Sequence, residues 1–159
     1  MRKLMECVPN FSEGRDKELV EQIIDEARKV KGITILDYSS DKDHNRTVLT
    51  MIGSPKQVKE AAINSARKAA ELIDMSKHEG AHPRMGATDV IPFTPVSNVT
   101  IAECVDVAKE VGAEIGSWGI PVYLYEDAAT TPERQNLAKV RKGQYEGFFE
   151  KIKEEEWKP

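Results

Sequence analysis

Between His78 and Phe93 the chain reads HEGAHPRMGATDVIPF, which crowds His78, His82, Arg84 and Asp89 into one short stretch. A histidine near its ordinary pKa of about 6.5 gives and takes protons at neutral pH. An arginine such as Arg84 suits a carboxylate, which it grips through two hydrogen bonds. Asp89 has the chemistry either to orient an imidazole or to pair with Arg84. Gly80 and Pro83 flank His82, and Gly86 follows closely. That punctuation predicts a loop rather than a helix, and loops on rigid scaffolds commonly carry chemistry.

Plainer readings apply to the same residues. A lone loop histidine is more often structural than catalytic. An Arg84–Asp89 pair on the surface would contribute only about 0–1 kcal/mol. His78 and His82 are four apart, which on a helix would suit a metal, but Gly80 and Pro83 oppose that helix and no third ligand stands nearby. No metal site is expected. The stretch DHNR, Asp43 to Arg46, has turn residues at Asp43 and Asn45 and reads equally well as a hairpin turn. PNFSEGR, beginning at Pro9, has a single glycine and no Gly-Lys-Ser/Thr, so it is not a phosphate-binding loop.

The elements that must position these residues follow from periodicity and caps. Lys3 to Val8 is a short apolar run closed by Pro9, which predicts a strand. Asp16 caps a helix with apolar positions Leu19, Val20, Ile23, Ile24, Ala27 and Val30, ended by Gly32. ITILDY and RTVLTMIG read as two strands joined by a polar turn and therefore antiparallel. Ser54, Pro55 and Gln57 mark a capping box. The helix they open buries Val58, Ala61, Ala62, Ala66, Ala69, Leu72 and Ile73. After the histidine segment, TDVIPFTPV is extended, with Pro92 and Pro95 favouring an edge or irregular strand. Thr100 and Glu103 form a second capping box, ahead of Ile101, Cys104, Val105, Ala108, Val111 and Ile115. IPVYLYE reads as a fifth strand. Thr131-Pro132 opens a further helix broken at Gly143, and a last helix runs through QYEGFFEKIKEEE.

The order βαββαβ followed by α, β, α, α predicts an α/β (α+β) chain. Its ferredoxin-like βαββαβ core is extended by a further strand and helices, in one mixed sheet covered by helices. His82 is then expected at the rim of a cleft beside the strand ends.

The whole chain has 159 residues, enough for one domain with a real core. Its net charge of −4 gives no broad basic face, which argues against a nucleic-acid partner. No apolar run is long enough for a membrane span, and no signal peptide is evident. Cys7 and Cys104 lie in separate apolar runs without CxxC partners and are expected to be free, buried thiols. A cytoplasmic protein is the reading.

Longer strings carry more information. ECVPNFSEGRD from Glu6, DHNRTV from Asp43, AAELIDMSKHEGAHPRMGATDVIPFTPV from Ala69, PVYLYEDAA from Pro121 and RKGQYEGF from Arg141 closely resemble the glutamate formiminotransferase family, in the right order over nearly the whole chain. The resemblance implies transfer of a formimino group between N-formimino-L-glutamate and tetrahydrofolate, with tetrahydrofolate as co-substrate and no metal. It implies a place in histidine catabolism and one-carbon metabolism. The family's catalytic histidine falls on His82 of His82-Pro83-Arg84, as general acid/base. Asn10, His44, Asn45, Arg84 and Asp89 become candidates for the substrate cleft. The sequence departs from the family at Ala81, where an acid often precedes the histidine. The resemblance also implies that residues 1–159 are a single N-terminal subdomain, with the second subdomain absent. The expected partners are folate, formiminoglutamate, a separate chain supplying the second subdomain, and further copies of this chain in a homo-oligomer. The alternative is a non-catalytic folate- or partner-binding module with the same fold.

Overall fold

The computed structural model describes residues 2–77, 79, 85–142, 144–153, 157 and 159. The strands are β1 (Leu4–Cys7), β2 (Asn10–Phe11), β3 (Thr34–Asp41), β4 (Arg46–Gly53), β5 (Thr88–Val90) and β6 (Phe93–Ser97). The helices are α1 (Lys17–Arg28), α2 (Pro55–Leu72), α3 (Ile101–Gly116), α4 (Leu137–Arg141) and α5 (Gln144–Lys151), with short 3-10 turns at Met75–Lys77, Glu126–Ala128 and Pro132–Arg134.

The α/β class and the βαββαβ core stand. β4 pairs with β3 on one side and with β1 and β2 in succession on the other. β6 and β5 then pair with β1 and β2. The six strands thus form four rows, two of them interrupted in the middle. The interruptions fall at Pro9 and Pro92, which have no N–H to give a ladder. Their carbonyls still serve, since Pro92 accepts from the Val8 N–H at 3.2 Å and Pro9 accepts from the Leu49 N–H at 3.1 Å.

Four details differ from the sequence reading. TDVIPFTPV is two strands rather than one, and Asn10–Phe11 is a strand of its own. Every pairing among the described residues is antiparallel, so the sheet they form is not mixed. Among the described residues, the fifth strand expected in IPVYLYE joins no sheet. Its apolar side chains lie instead on α3, where a Cβ at Gly112 would stand 3.3 Å from Val122 and 3.5 Å from Leu124. Alternation reports a half-buried extended segment and does not say what covers it.

Helices cover one face of the sheet. Along β4, Thr47, Leu49, Met51 and Gly53 are buried, and the residues between them are half-buried. Met5, Cys7, Phe11, Leu49 and Met51 meet Val20, Ile23, Ile24 and Ala27 of α1 and Val58, Ala61, Ala62, Ala66 and Ala69 of α2 in one core. The alanines and Ser65 let α2 approach closely while it packs against both α1 and α3. α3 buries Cys104, Val107, Val111 and Ile115, whereas Ile101 is 55% exposed. The stripe therefore turns through Val107 rather than through Ile101 and Val105. Leu36 and Val96 of the sheet are also more than half exposed.

The caps form largely as expected. Asp16 accepts from the Leu19 N–H, and the Ser54–Gln57 box is closed in both directions, at 3.2 and 2.9 Å. Such caps contribute about 1 kcal/mol each. At α3 only half of the box forms: Thr100 accepts from the Glu103 N–H, while the Glu103 carboxylate takes Lys3 at 3.2 Å. Cys7 and Cys104 are free and buried. Among the described residues, no helix is long and apolar enough to cross a membrane.

Candidate active site

The loop after β2 and the turn between β3 and β4 are pressed together at one end of the sheet. A Cβ at Gly14 would stand 2.4 Å from the Asp41 carbonyl oxygen and 2.6 Å from the Arg46 nitrogen, so only glycine fits. The contact is also hydrogen-bonded. The Gly14 N–H donates to Oδ1 of Asn45 at 2.8 Å, Thr47 Oγ1 donates to the Glu13 carbonyl at 2.5 Å, and Arg15 Nε donates to the Lys42 carbonyl at 2.9 Å. Ser40 meets Thr47 at 2.8 Å and completes the chain of hydroxyls.

This platform reaches the histidine segment from both sides. On the amino-terminal side, Nδ2 of Asn45 donates to the Glu79 carbonyl at 3.1 Å. On the carboxy-terminal side, Ser12 Oγ donates to the Gly86 carbonyl at 2.7 Å and the Ser12 N–H donates to the Ala87 carbonyl at 2.8 Å. Asp89 Oδ1 accepts the Met85 N–H at 2.5 Å. Its other oxygen takes Arg141 of α4, with Nε at 2.9 Å and Nη2 at 2.6 Å. The Asp89 side chain is 3% exposed, so this ion pair is buried and charge-assisted at both oxygens.

The predicted site residues separate into groups. His82 and Arg84 lie outside the described residues, as do His78 and Ala81. Asn45 and Asp89 are joined to the flanks of their segment, at Glu79 and Met85. Asn45 is 7% exposed, and its φ of 52° is a left-handed conformation that asparagine tolerates better than most residues. Asp89 is paired with Arg141, a partner the sequence did not point to. Asn10 pairs by its backbone with Val48 and Val90. Its neighbour Phe11 is buried in the core, so alternation puts the Asn10 side chain on the face away from the helices.

His44 sits in the turn with Nδ1 2.6 Å from Oδ2 of Asp41. The other Asp41 oxygen accepts the backbone N–H groups of Asp43 and His44, at 2.9 and 3.1 Å. The backbone bond from His44, with its ring bond next, holds the Asp41 carboxyl below its ordinary range.

Ser12, Thr47, Tyr125 and Arg141 lie in or beside this network and were not singled out from the sequence. All four sit in or beside strings that had been noted, but their partners are distant in sequence. Burial is the main influence that pushes the Tyr125 phenol up to about 12, while the charge of Arg141 pulls the other way. Tyr125 therefore stays a neutral hydroxyl at ordinary pH. The Thr88 hydroxyl is buried and has no hydrogen-bond partner among the described residues. No group of three metal-ligating side chains occurs among them either.

The chain is similar to known proteins along nearly its whole length. The profile of the formiminotransferase domain, N-terminal subdomain, covers residues 4–159. The glutamate formimidoyltransferase of Streptococcus pyogenes serotype M1 is 53% identical over 100% of this chain and 54% of its own length. That of Thermoplasma acidophilum is 48% identical over 98% of this chain and 52% of its own. The formimidoyltransferase-cyclodeaminase of Sus scrofa is 49% identical over 100% of this chain and 30% of its own. The chain thus spans about half the length of the first two relatives and under a third of the last. It belongs to the family of formiminotransferase N-terminal subdomains.

Proposed function

We propose that the chain is the histidine-bearing half of a glutamate formimidoyltransferase, moving a formimino group between N-formimino-L-glutamate and tetrahydrofolate. His82 acts as general acid/base. The observation that carries the reading is the anchoring of the flanks of its segment, with the Glu79, Gly86 and Ala87 carbonyls accepting hydrogen bonds from the platform and the Met85 N–H donating to Asp89. Proton transfer needs donor and acceptor within roughly 2.6–3.2 Å, and a segment fixed at both flanks meets that demand better than a free loop.

The chemistry needs one well-placed imidazole. The folate amine attacks the formimino carbon and forms a tetrahedral intermediate. The attacking nitrogen gives a proton to His82, and His82 gives it to the glutamate nitrogen. The bond from carbon to that nitrogen then breaks and glutamate leaves. Such acid/base help contributes typically 10²–10⁴-fold. In this reading Arg84 meets a substrate carboxylate, Asn10 and His44 face the cleft, and Asn45 and Asp89 brace the segment. The rest of the cleft comes from a second subdomain, in the same chain or another. A cytoplasmic place in histidine catabolism and one-carbon metabolism goes with this reading.

The test is a formimino-transfer assay on the chain alone and with a matching second subdomain. Little activity alone, transfer by the pair and its loss in His82→Ala are the expected results. Binding of folate with no transfer in any combination would favour a non-catalytic module. Full activity of His82→Ala in the pair would end the mechanistic reading.

A further inference from the structure

We infer that Arg141 is a positioning residue, which acts through Asp89 to fix Met85 and so the carboxy-terminal end of the segment that carries His82. The inference rests on the transfer reading given above. Met85 follows His82 by three positions, and its N–H is held by Asp89 Oδ1 at 2.5 Å. A carboxylate with one anchored oxygen still rotates about its own bonds. Arg141 removes that freedom by gripping Oδ2 with Nε and Nη2.

Arg141 is itself on a braced element. Asn136 caps the start of α4 by accepting the N–H groups of Ala138 and Lys139, at 2.9 and 3.4 Å. Lys151 of α5 donates to the carbonyls of Lys139, Val140 and Lys142 at its end, at 2.9, 2.5 and 3.0 Å. α4 is only five residues long, so without these contacts at both ends it would fray. The route from α5 through Arg141 and Asp89 to Met85 is continuous, and it joins a part of the chain remote in sequence to the histidine segment. A lysine at position 141 would keep the charge but lack the planar fork that makes both contacts.

Two readouts test this. Amide hydrogen exchange in the chain itself compares Met85 with Leu49 of the central strand. Steady-state transfer in the active pair separates kcat from KM. In Arg141→Ala, Met85 should lose protection while Leu49 keeps it. The turnover number should fall by roughly 10²-fold, the size expected for a small misplacement, with KM little changed. Arg141→Lys should fold and fall between wild type and Arg141→Ala. Asp89→Asn should lose turnover similarly, and the double variant should be no worse than the more damaged single one. Unchanged Met85 protection in either Arg141 variant would overturn the inference, as would additive losses in the double variant. If wild type transfers nothing in any pairing, the proposed function fails, and the exchange comparison still decides whether Arg141 holds Met85.

Discussion

The amide of Asn45 bridges two segments: Oδ1 takes the Gly14 N–H at 2.8 Å, and Nδ2 gives its hydrogen to the Glu79 carbonyl at 3.1 Å. Neither end is free for bulk water, because Asn45 is 7% exposed. Replacing it by alanine would leave the Gly14 N–H and the Glu79 carbonyl without this partner and place a poorly suited residue at a φ of 52°. A destabilisation of about 1–3 kcal/mol is expected. Asn45→Asp is more informative, since it keeps the acceptor for Gly14 and loses the donor for Glu79. It also sets a buried carboxylate oxygen against the Glu79 carbonyl, so it should cost at least as much stability as Asn45→Ala and lower formimino transfer. Denaturant titration beside a transfer assay checks both outcomes.

Gly14 has a stricter requirement. Its missing Cβ leaves room for the Asp41 carbonyl and the Arg46 backbone, and neither is the end of a flexible side chain. Gly14→Ala should therefore force the β3–β4 turn away from the loop and cost at least about 1–3 kcal/mol, as overpacking does. The denaturation midpoint should fall with an unchanged slope. A midpoint equal to wild type would show that the turn yields easily.

Some of this was legible in the sequence and some was not. Ser54, Pro55 and Gln57 announced α2 because a capping box is a local device, readable within four residues. The apolar spacing of α1 gave its buried face for the same reason. Pro9 marked the end of β1, while Pro92 signalled only an irregular strand and not the break between β5 and β6, and the strand beyond Pro9 was missed because two residues make too short a pattern. IPVYLYE was misread because alternation does not distinguish a sheet partner from the flank of α3. Asp89 was recognised as chemically able, yet its partner is Arg141, 52 positions away, and no local spacing reports such a pair. The same holds for Ser12 and Gly86, whose contact spans 74 positions.

The Thr88 hydroxyl stands buried beside this network without a partner among the described residues. A desolvated hydroxyl with no hydrogen bond costs about 1–3 kcal/mol. Thr88→Val keeps the shape and the strand preference and removes that cost. The variant should be at least as stable as wild type, with a higher melting temperature by calorimetry. A lower melting temperature would mean that the hydroxyl has a stabilising partner, such as an ordered water.

The pH dependence of stability should carry a signature of the turn. Asp41 is held below its ordinary pKa, first by the backbone N–H of His44 and next by the His44 ring. In the unfolded chain its pKa returns to about 3.9. The folded state therefore binds this proton less readily than the unfolded state does. Asp41 contributes stability that is fully present above the unfolded value and is lost as pH falls through the lower, folded value. Glu21, lowered mainly by the Tyr38 hydroxyl and then by Arg28, and Asp74, lowered mainly by the Ser76 side chain and then its backbone N–H, act in the same direction. Wild type should thus lose stability progressively below about pH 4, the range where these carboxylates begin to bind protons when unfolded. Asp41→Asn removes one of the three contributions. Denaturation midpoints measured from pH 7 down to pH 2 should fall less steeply in the variant than in wild type, with the difference greatest near neutral pH and vanishing at the acid end. Parallel curves across the whole range would show that the Asp41–His44 contact does not outlast thermal motion in solution.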